Sequence, residues 1–236
     1  MRKIYYSILF LTLTFSIVTA KSSKVSFFQD NDYKISGWTK FIENMSMSKW
    51  KPGVKVGINL HEFKNSESTS DNTKYREGYN FGVFIDYTSE YFIFQPGLNY
   101  FSKGSKISIP DTEWYSGTNW TIRLNYIEVP LRIGVTVFKH RLGGVQPVRI
   151  NTTPYFAYAL NGKFVGKSVT SKINFGNGIN DLKRIDYGIK LGMSIVFGSF
   201  EPSFGYDLGL CNIGNNNAKP ANNRGFYFTV AMVFGK

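Results

Sequence analysis

The 236-residue sequence holds one cysteine, Cys211. A small exported protein stapled by disulfides would carry several, so burial and hydrogen bonding must hold this one together. Histidine is almost as scarce, with only His61 and His140. No grouping of His, Cys and carboxylates has the spacing of zinc ligands. Acidic residues number 16 against 28 Lys and Arg, a net charge of +12. That excess points toward anionic surfaces. Long apolar runs are missing except at the very start, and segments of helical periodicity are hard to find.

The start, MRKIYYSILFLTLTFSIVTA, sets Arg2 and Lys3 before an apolar run from Ile4 to Val18 and the small pair Thr19-Ala20. Basic end, apolar middle and small-residue site are the layout of a secretory signal peptide, expected to span 1–20. A membrane-anchoring helix is the alternative, but about 15 apolar residues fall short of the ~20 that a span needs. No cysteine follows the site, so a lipid-modified N-terminus is not expected. Cleavage after Ala20 leaves 26 basic residues against 16 acidic. Export makes lipid phosphates the expected anionic surface and argues against nucleic acid.

What the chain has in quantity is aromatic residues, 17%, and glycine, 23 residues. Tyr and Phe favour strands, and a two-residue rhythm recurs through eight segments. In DYGIKLGMSIVFGSFEPSFGYDLGL, Tyr187, Ile189, Leu191 and Met193 alternate with Asp186, Gly188, Lys190 and Gly192. KPGVKVGINLH, EGYNFGVFIDY, YFIFQPGLNYFSK, LNYIEVPLRIGVTVF, RINTTPYFAYAL and GFYFTVAMVFGK repeat the pattern. Short turns, Thr88-Ser89-Glu90 and Gly198-Ser199, exchange with long polar connections at roughly 62–76, 104–120, 161–183 and 212–224. This is the expectation for an all-β, eight-stranded antiparallel up-and-down transmembrane β-barrel over residues 53–236. A soluble lipocalin-like barrel alternates too. Turning Lys55, Arg132 and Lys190 toward lipid would cost roughly 2–4 kcal/mol each at the midplane, so the apolar face is expected outward. Pro96, Pro130, Pro154 and Pro202 interrupt these segments, where bulges or strand ends are expected.

The stretches GVKVGINLHEF, FQPGLNYFSKG, LNYIEVPLRIGV, PYFAYALNGK and RIDYGIKLGMSI…FEPSFGYDLGLCNI, in that order, resemble the PorT-like outer-membrane β-barrel family, often described as porin-family proteins. The resemblance covers about residues 53–236. It implies an eight-stranded barrel in the outer membrane of a Gram-negative cell, with no cofactor and no catalytic residues. Some members of that family take part in protein secretion and surface motility. Residues 21–52 have no counterpart in the likeness; they are a periplasmic tail or a short plug.

Lys55, Asp86, Glu128, Arg132, Asp186, Lys190, Glu201 and Asp207 fall on the polar face. They fit a proton or ion path, or a structural network. The network is expected, because narrow barrel interiors are filled with side chains and buried charges must be paired. His61 and Glu62, with Ser102 or Ser105 nearby in topology, could serve a lipid-modifying hydrolase. Nothing singles out a nucleophile, however, and His61 reads better as a polar residue where the first strand enters its loop. Lys163, Lys167, Lys172, Lys183 and Arg184 form a basic external loop relieved only by Asp181. Its use would be anionic glycolipid or a partner; its plain reading is a solvated loop beside outer-leaflet phosphates. The expected role is therefore structural, binding or within an envelope or secretion complex, with a narrow passive channel as the alternative. Expected partners are outer-membrane lipids including anionic glycolipid, the barrel assembly machinery and an envelope protein.

Overall fold

The computed structural model describes residues 49–64, 73–89, 91–109, 118–138, 147–166, 169–176, 178, 181–214 and 221–235, all within one compact unit spanning 42–236. The expected signal peptide, residues 21–48, His140 and Lys167 lie outside the described residues.

Among the described residues nine strands follow one another: β1 Trp50–Lys64, β2 Thr73–Thr88, β3 Phe92–Ile109, β4 Thr118–Phe138, β5 Val148–Val165, β6 Thr170–Lys172, β7 Ile185–Ile195, β8 Phe200–Gly209 and β9 Asn222–Val233. Each barrel strand pairs antiparallel with the next, β5 pairs with β7, and β9 returns to β1. Eight strands thus close a cylinder, the fold the alternation implies, and each of the eight has a neighbour on both sides. The three residues of β6 hang on the outer end of β5. β1 opens at Trp50, ahead of the expected boundary at 53.

Faces follow the two-residue period. On β1, Val54, Val56, Ile58 and Leu60 are exposed while Asn59 and His61 are buried. On β7, Tyr187, Leu191 and Met193 are exposed while Asp186 and Lys190 are buried. A hydrocarbon-coated cylinder of this kind is arranged for lipid, not for water. Aromatic rings bound the coat. At the short-turn end Trp50 packs on Tyr87 at 4.8 Å; at the other, Tyr79 and Phe81 stack on Tyr100 at 5.9 and 5.0 Å. The Gly198-Ser199 turn closes β7 onto β8 through paired bonds between Phe197 and Phe200, with Gly198 at φ 59°, which a side chain rarely adopts.

Two expectations need correction. The strands are longer than the alternation suggested: β1 to β5 run 15 to 21 residues, where a bilayer needs about ten. Much of 62–76, 104–120 and 161–183 is therefore strand, and Lys163 and Lys172 belong to β5 and β6 rather than to a loop. Polar composition made these stretches look like loops. Cross-strand polar pairs hold them as sheet instead, among them Lys106 on Glu77 and Asn125 on Asn161. Pro202 lies near the start of β8, as expected, but Pro96, Pro130 and Pro154 do not sit at bulges or strand ends. Register shifts occur at Tyr75/Asn80, Asn125/Tyr126 and Thr136/Phe138, none of them at a proline. The ladder simply skips pairs. It omits those between Pro96↔Leu131 and Asn99↔Glu128, where Pro130 falls, and those between Pro130↔Tyr155 and Ile133↔Thr152, where Pro154 falls. Register is unchanged on either side. A missing N–H costs the ladder a rung without bending it.

Candidate functional site

The lumen is filled in layers, and each layer comes from inward positions on several strands. The outermost is apolar. Ile122, Leu124 and Tyr126 of β4 pack with Phe63 of β1, and Ile173 and Ile213 fold into the mouth from the connections after β6 and β8. Ile213 is fully buried and tied by its N–H to the Ala221 carbonyl at 3.0 Å. The polar-lumen expectation missed this cap: Phe63, Ile173 and Ile213 sit in stretches that read as loop, and Leu124 and Tyr126 share the inward parity of Glu128 on β4.

Beneath it lies an ionic layer. Lys103 Nζ reaches Asp207 at 3.0 Å, Asp186 at 3.4 Å and Glu128 at 3.7 Å. Lys190 donates to Glu128 at 2.5 Å and stands 4.0 Å from Asp207. Both ammoniums also lie over aromatic rings, Lys103 4.1 Å from the centre of Tyr155 and Lys190 4.0 Å from that of Phe101. Cation–π contacts of this kind are strongest when desolvated. His61 is buried here: Nε2 meets Asp207 at 3.0 Å and Nδ1 meets Asn59 at 2.9 Å. The amide of Asn59 can only donate to Nδ1, so Nε2 carries the proton that Asp207 accepts. His61 is thus a lumen residue, not the entrance to a loop, because β1 continues to Lys64.

A small cavity of about 50 Å³ follows, lined by Lys55, Asn99, Glu128, Arg132, Asn151 and Lys190 among others. It has room for a few water molecules. Lys55 makes no ion pair among the described residues; its ammonium lies 5.8 Å from the Phe84 ring.

A hydrogen-bonded ring closes the short-turn end. Arg149 donates to Glu201 at 2.6 Å, and Arg132 meets Glu201 at 2.7 Å. Arg132 donates onward to Gln95, Gln95 to Asp86, and Thr88 to Asp86. Arg149 then reaches Thr88 at 3.2 Å and completes the circuit. Five strands contribute, so the ring braces the wall as well as blocking it.

The structure places all eight sequence-derived charges in the lumen, split between two clusters. Glu128, Asp186, Lys190 and Asp207 share the upper one; Asp86, Arg132 and Glu201 share the ring; Lys55 stands between. Lys103, Arg149 and His61 are additional members. Their parity marks them as inward, two residues from Phe101, Asn151 and Asn59. Arg76, also inward, donates to the Ser102 hydroxyl and the Lys103 carbonyl. Lys163, Lys172, Lys183 and Arg184 all lie at the long-loop end and are exposed. Cys211 is buried just past β8, and burial pushes its thiol pKa up, keeping it protonated and unreactive. Among the described residues no group of His, Cys, Asp and Glu could hold a metal.

Structural comparison finds similar solved proteins. Neisserial surface protein A matches with 15% identity and a TM-score of 0.48, over 78% of this chain and 97% of that one. Ail, the attachment invasion locus protein of Yersinia pestis, matches with 9% identity and a TM-score of 0.43, over 79% and 100%. The translocator domain of the autotransporter NalP from Neisseria meningitidis matches with 9% identity and a TM-score of 0.34, over 84% and 95%. No curated protein matches by sequence. The profile of the outer membrane protein beta-barrel domain matches residues 14–215, and the chain belongs to this family of outer-membrane barrels.

Proposed function

We propose that this outer-membrane barrel is a non-catalytic binding or structural component of the envelope, of PorT-like kind, working through its outer surfaces rather than its lumen. One observation carries the reading: the interior is sealed twice, by the apolar cap around Leu124 and Ile213 and by the Arg132–Glu201–Arg149 ring, with only about 50 Å³ between. An eight-stranded barrel is just wide enough for its side chains to fill. Catalysis finds no support in the same geometry. Both ring nitrogens of His61 are occupied, by Asp207 and Asn59, so it has no lone pair for a nucleophile. Ser102 accepts from Arg76, and Ser105 donates to backbone carbonyls. The ordered motifs from GVKVGINLHEF onward support the PorT-like placement. An envelope protein partner and the barrel assembly machinery belong to this reading.

Planar-bilayer recording on the refolded full chain tests it. No stable conductance steps are expected. Steps that vanish in Glu128 or Arg132 variants would make the protein a channel. A change in lipid A acylation that depends on His61 would make it an enzyme.

A further inference from the structure

The outer face of β4, β5 and β6 carries three cations in a row across the ladder. Arg123 stands directly opposite Lys163 across β4–β5, and Lys163 directly opposite Lys172 across β5–β6. All three side chains are exposed, and none forms an ion pair among the described residues. Like charges directly opposite on a sheet repel and destabilise it. Two other outward sites show the contrast. Glu62 faces Arg224 across β1–β9. Lys106, opposite Lys74, is held by Glu77 at 2.7 Å. The three-cation row has no such relief from the protein. Two more cations, Lys183 and Arg184, lie at the start of the neighbouring β7. The acid in that connection, Asp181, accepts from the Gly178 N–H.

Position identifies what supplies the missing negative charge. One step toward the membrane from the row, Asn125 donates to Asn161 at 2.8 Å. Next come exposed Tyr158, Leu160 and Val129. The Arg184 guanidinium rests 5.7 Å from the Tyr158 ring and 5.1 Å from that of Phe175, which holds a cation at the edge of the apolar coat. From outside inward the surface runs cation, amide, phenol, hydrocarbon. That is the polarity profile of a lipid whose headgroup carries anions. Strands about 5 Å apart spread three cations over roughly 10 Å, the scale of a short phosphorylated saccharide.

We propose that the Arg123–Lys163–Lys172 row binds the phosphate groups of an outer-leaflet glycolipid, a phosphorylated saccharide borne on acyl chains. The saccharide phosphates take the cations and the chains lie on Tyr158, Leu160 and Val129. The proposal rests on the reading above only in treating the outside of the barrel as its working surface. A sealed lumen would survive its failure.

Native mass spectrometry of the full chain in detergent micelles, titrated with diphosphoryl lipid A, tests the site. Each cation near such a surface is worth about a fivefold change in affinity. K163Q should therefore weaken binding about fivefold, and R123Q/K163Q/K172Q on the order of a hundredfold. E62Q/R224Q, across the barrel on β1 and β9, should leave it unchanged. The triple variant removes mutual repulsion and should still migrate as a folded barrel before heating. If it does not, K163Q alone carries the test. Wild-type affinity in these variants, or equal binding of dephosphorylated lipid A, overturns the proposal. An acyl-free diphosphorylated disaccharide that binds as tightly as the lipid also overturns it, in favour of a soluble polyanion.

Discussion

A single oxygen of Asp207, Oδ2, faces His61 and Lys103 at 3.0 Å and Lys190 at 4.0 Å, with all four side chains almost wholly buried. Charges this deep must be paired with one another. Breaking one such pair by removing a single partner costs about 3–5 kcal/mol, while replacing both partners with apolar groups is often neutral or better. Lys190→Met should therefore destabilise by about 3–5 kcal/mol, because Glu128 loses its nearest cation. Lys190→Met with Glu128→Leu should recover most of that loss. Lys55→Met, at a lysine without an ion pair among the described residues, should leave stability unchanged or raised. Guanidinium unfolding of the barrel in lipid vesicles measures all three; a double variant as costly as the sum of the singles would count against the network. At this scale the sequence was legible in parity and no further. Parity puts Lys190 and Glu128 on the inward face. It does not say at what height each sits, and the stagger of the closed barrel decides which cation meets which acid.

Strands show what alternation can and cannot reveal. Their faces were readable because one side had to be apolar throughout: Val54 to Leu60 on β1 and Tyr187 to Met193 on β7 are the outward rows. Their ends were not. Thr73 bonds to the Phe63 carbonyl and Lys106 to Glu77, so a sheet persists where composition suggested loop. The prolines were misjudged for a related reason. Bulges or strand ends were expected, yet a closed barrel with neighbours on both sides keeps register across Pro130 and Pro154 and leaves rungs unmade. Face assignment itself has a direct test at Leu191, which is 52% exposed on β7 between Thr152 of β5 and Tyr206 of β8. Arginine there would stand in hydrocarbon at a cost of about 2–4 kcal/mol. Leu191→Arg should block or slow insertion into vesicles, and Leu191→Val should insert as wild type. Heat-modifiable migration on gels reads the outcome. Normal insertion of Leu191→Arg would mean that the apolar face is not the lipid face.

At the largest scale the described strands form a cylinder closed from both ends by different chemistry, and that difference makes the closure separable. The cap is apolar and comes partly from the connections after β6 and β8, through Ile173 and Ile213. The ring is ionic and comes from the strands themselves. Each seal alone should stop ions, because the narrow bore leaves no path around it. Leu124→Ser with Ile213→Ser admits water to the lysine layer but leaves the ring intact, so no conductance is expected. Arg132→Ser with Arg149→Ser opens the short-turn end below an intact cap, again without conductance. Combining the four substitutions should join both openings through the 50 Å³ cavity and give small, flickering steps. The current should favour cations, since Glu201 would stand at the opening without the two arginines that paired with it. Recording in asymmetric potassium chloride gives the sign through the reversal potential. Steps in either two-residue variant would mean that the lumen is held by one seal, and anion preference in the combined variant would mean that the ring's carboxylates are not what lines the path.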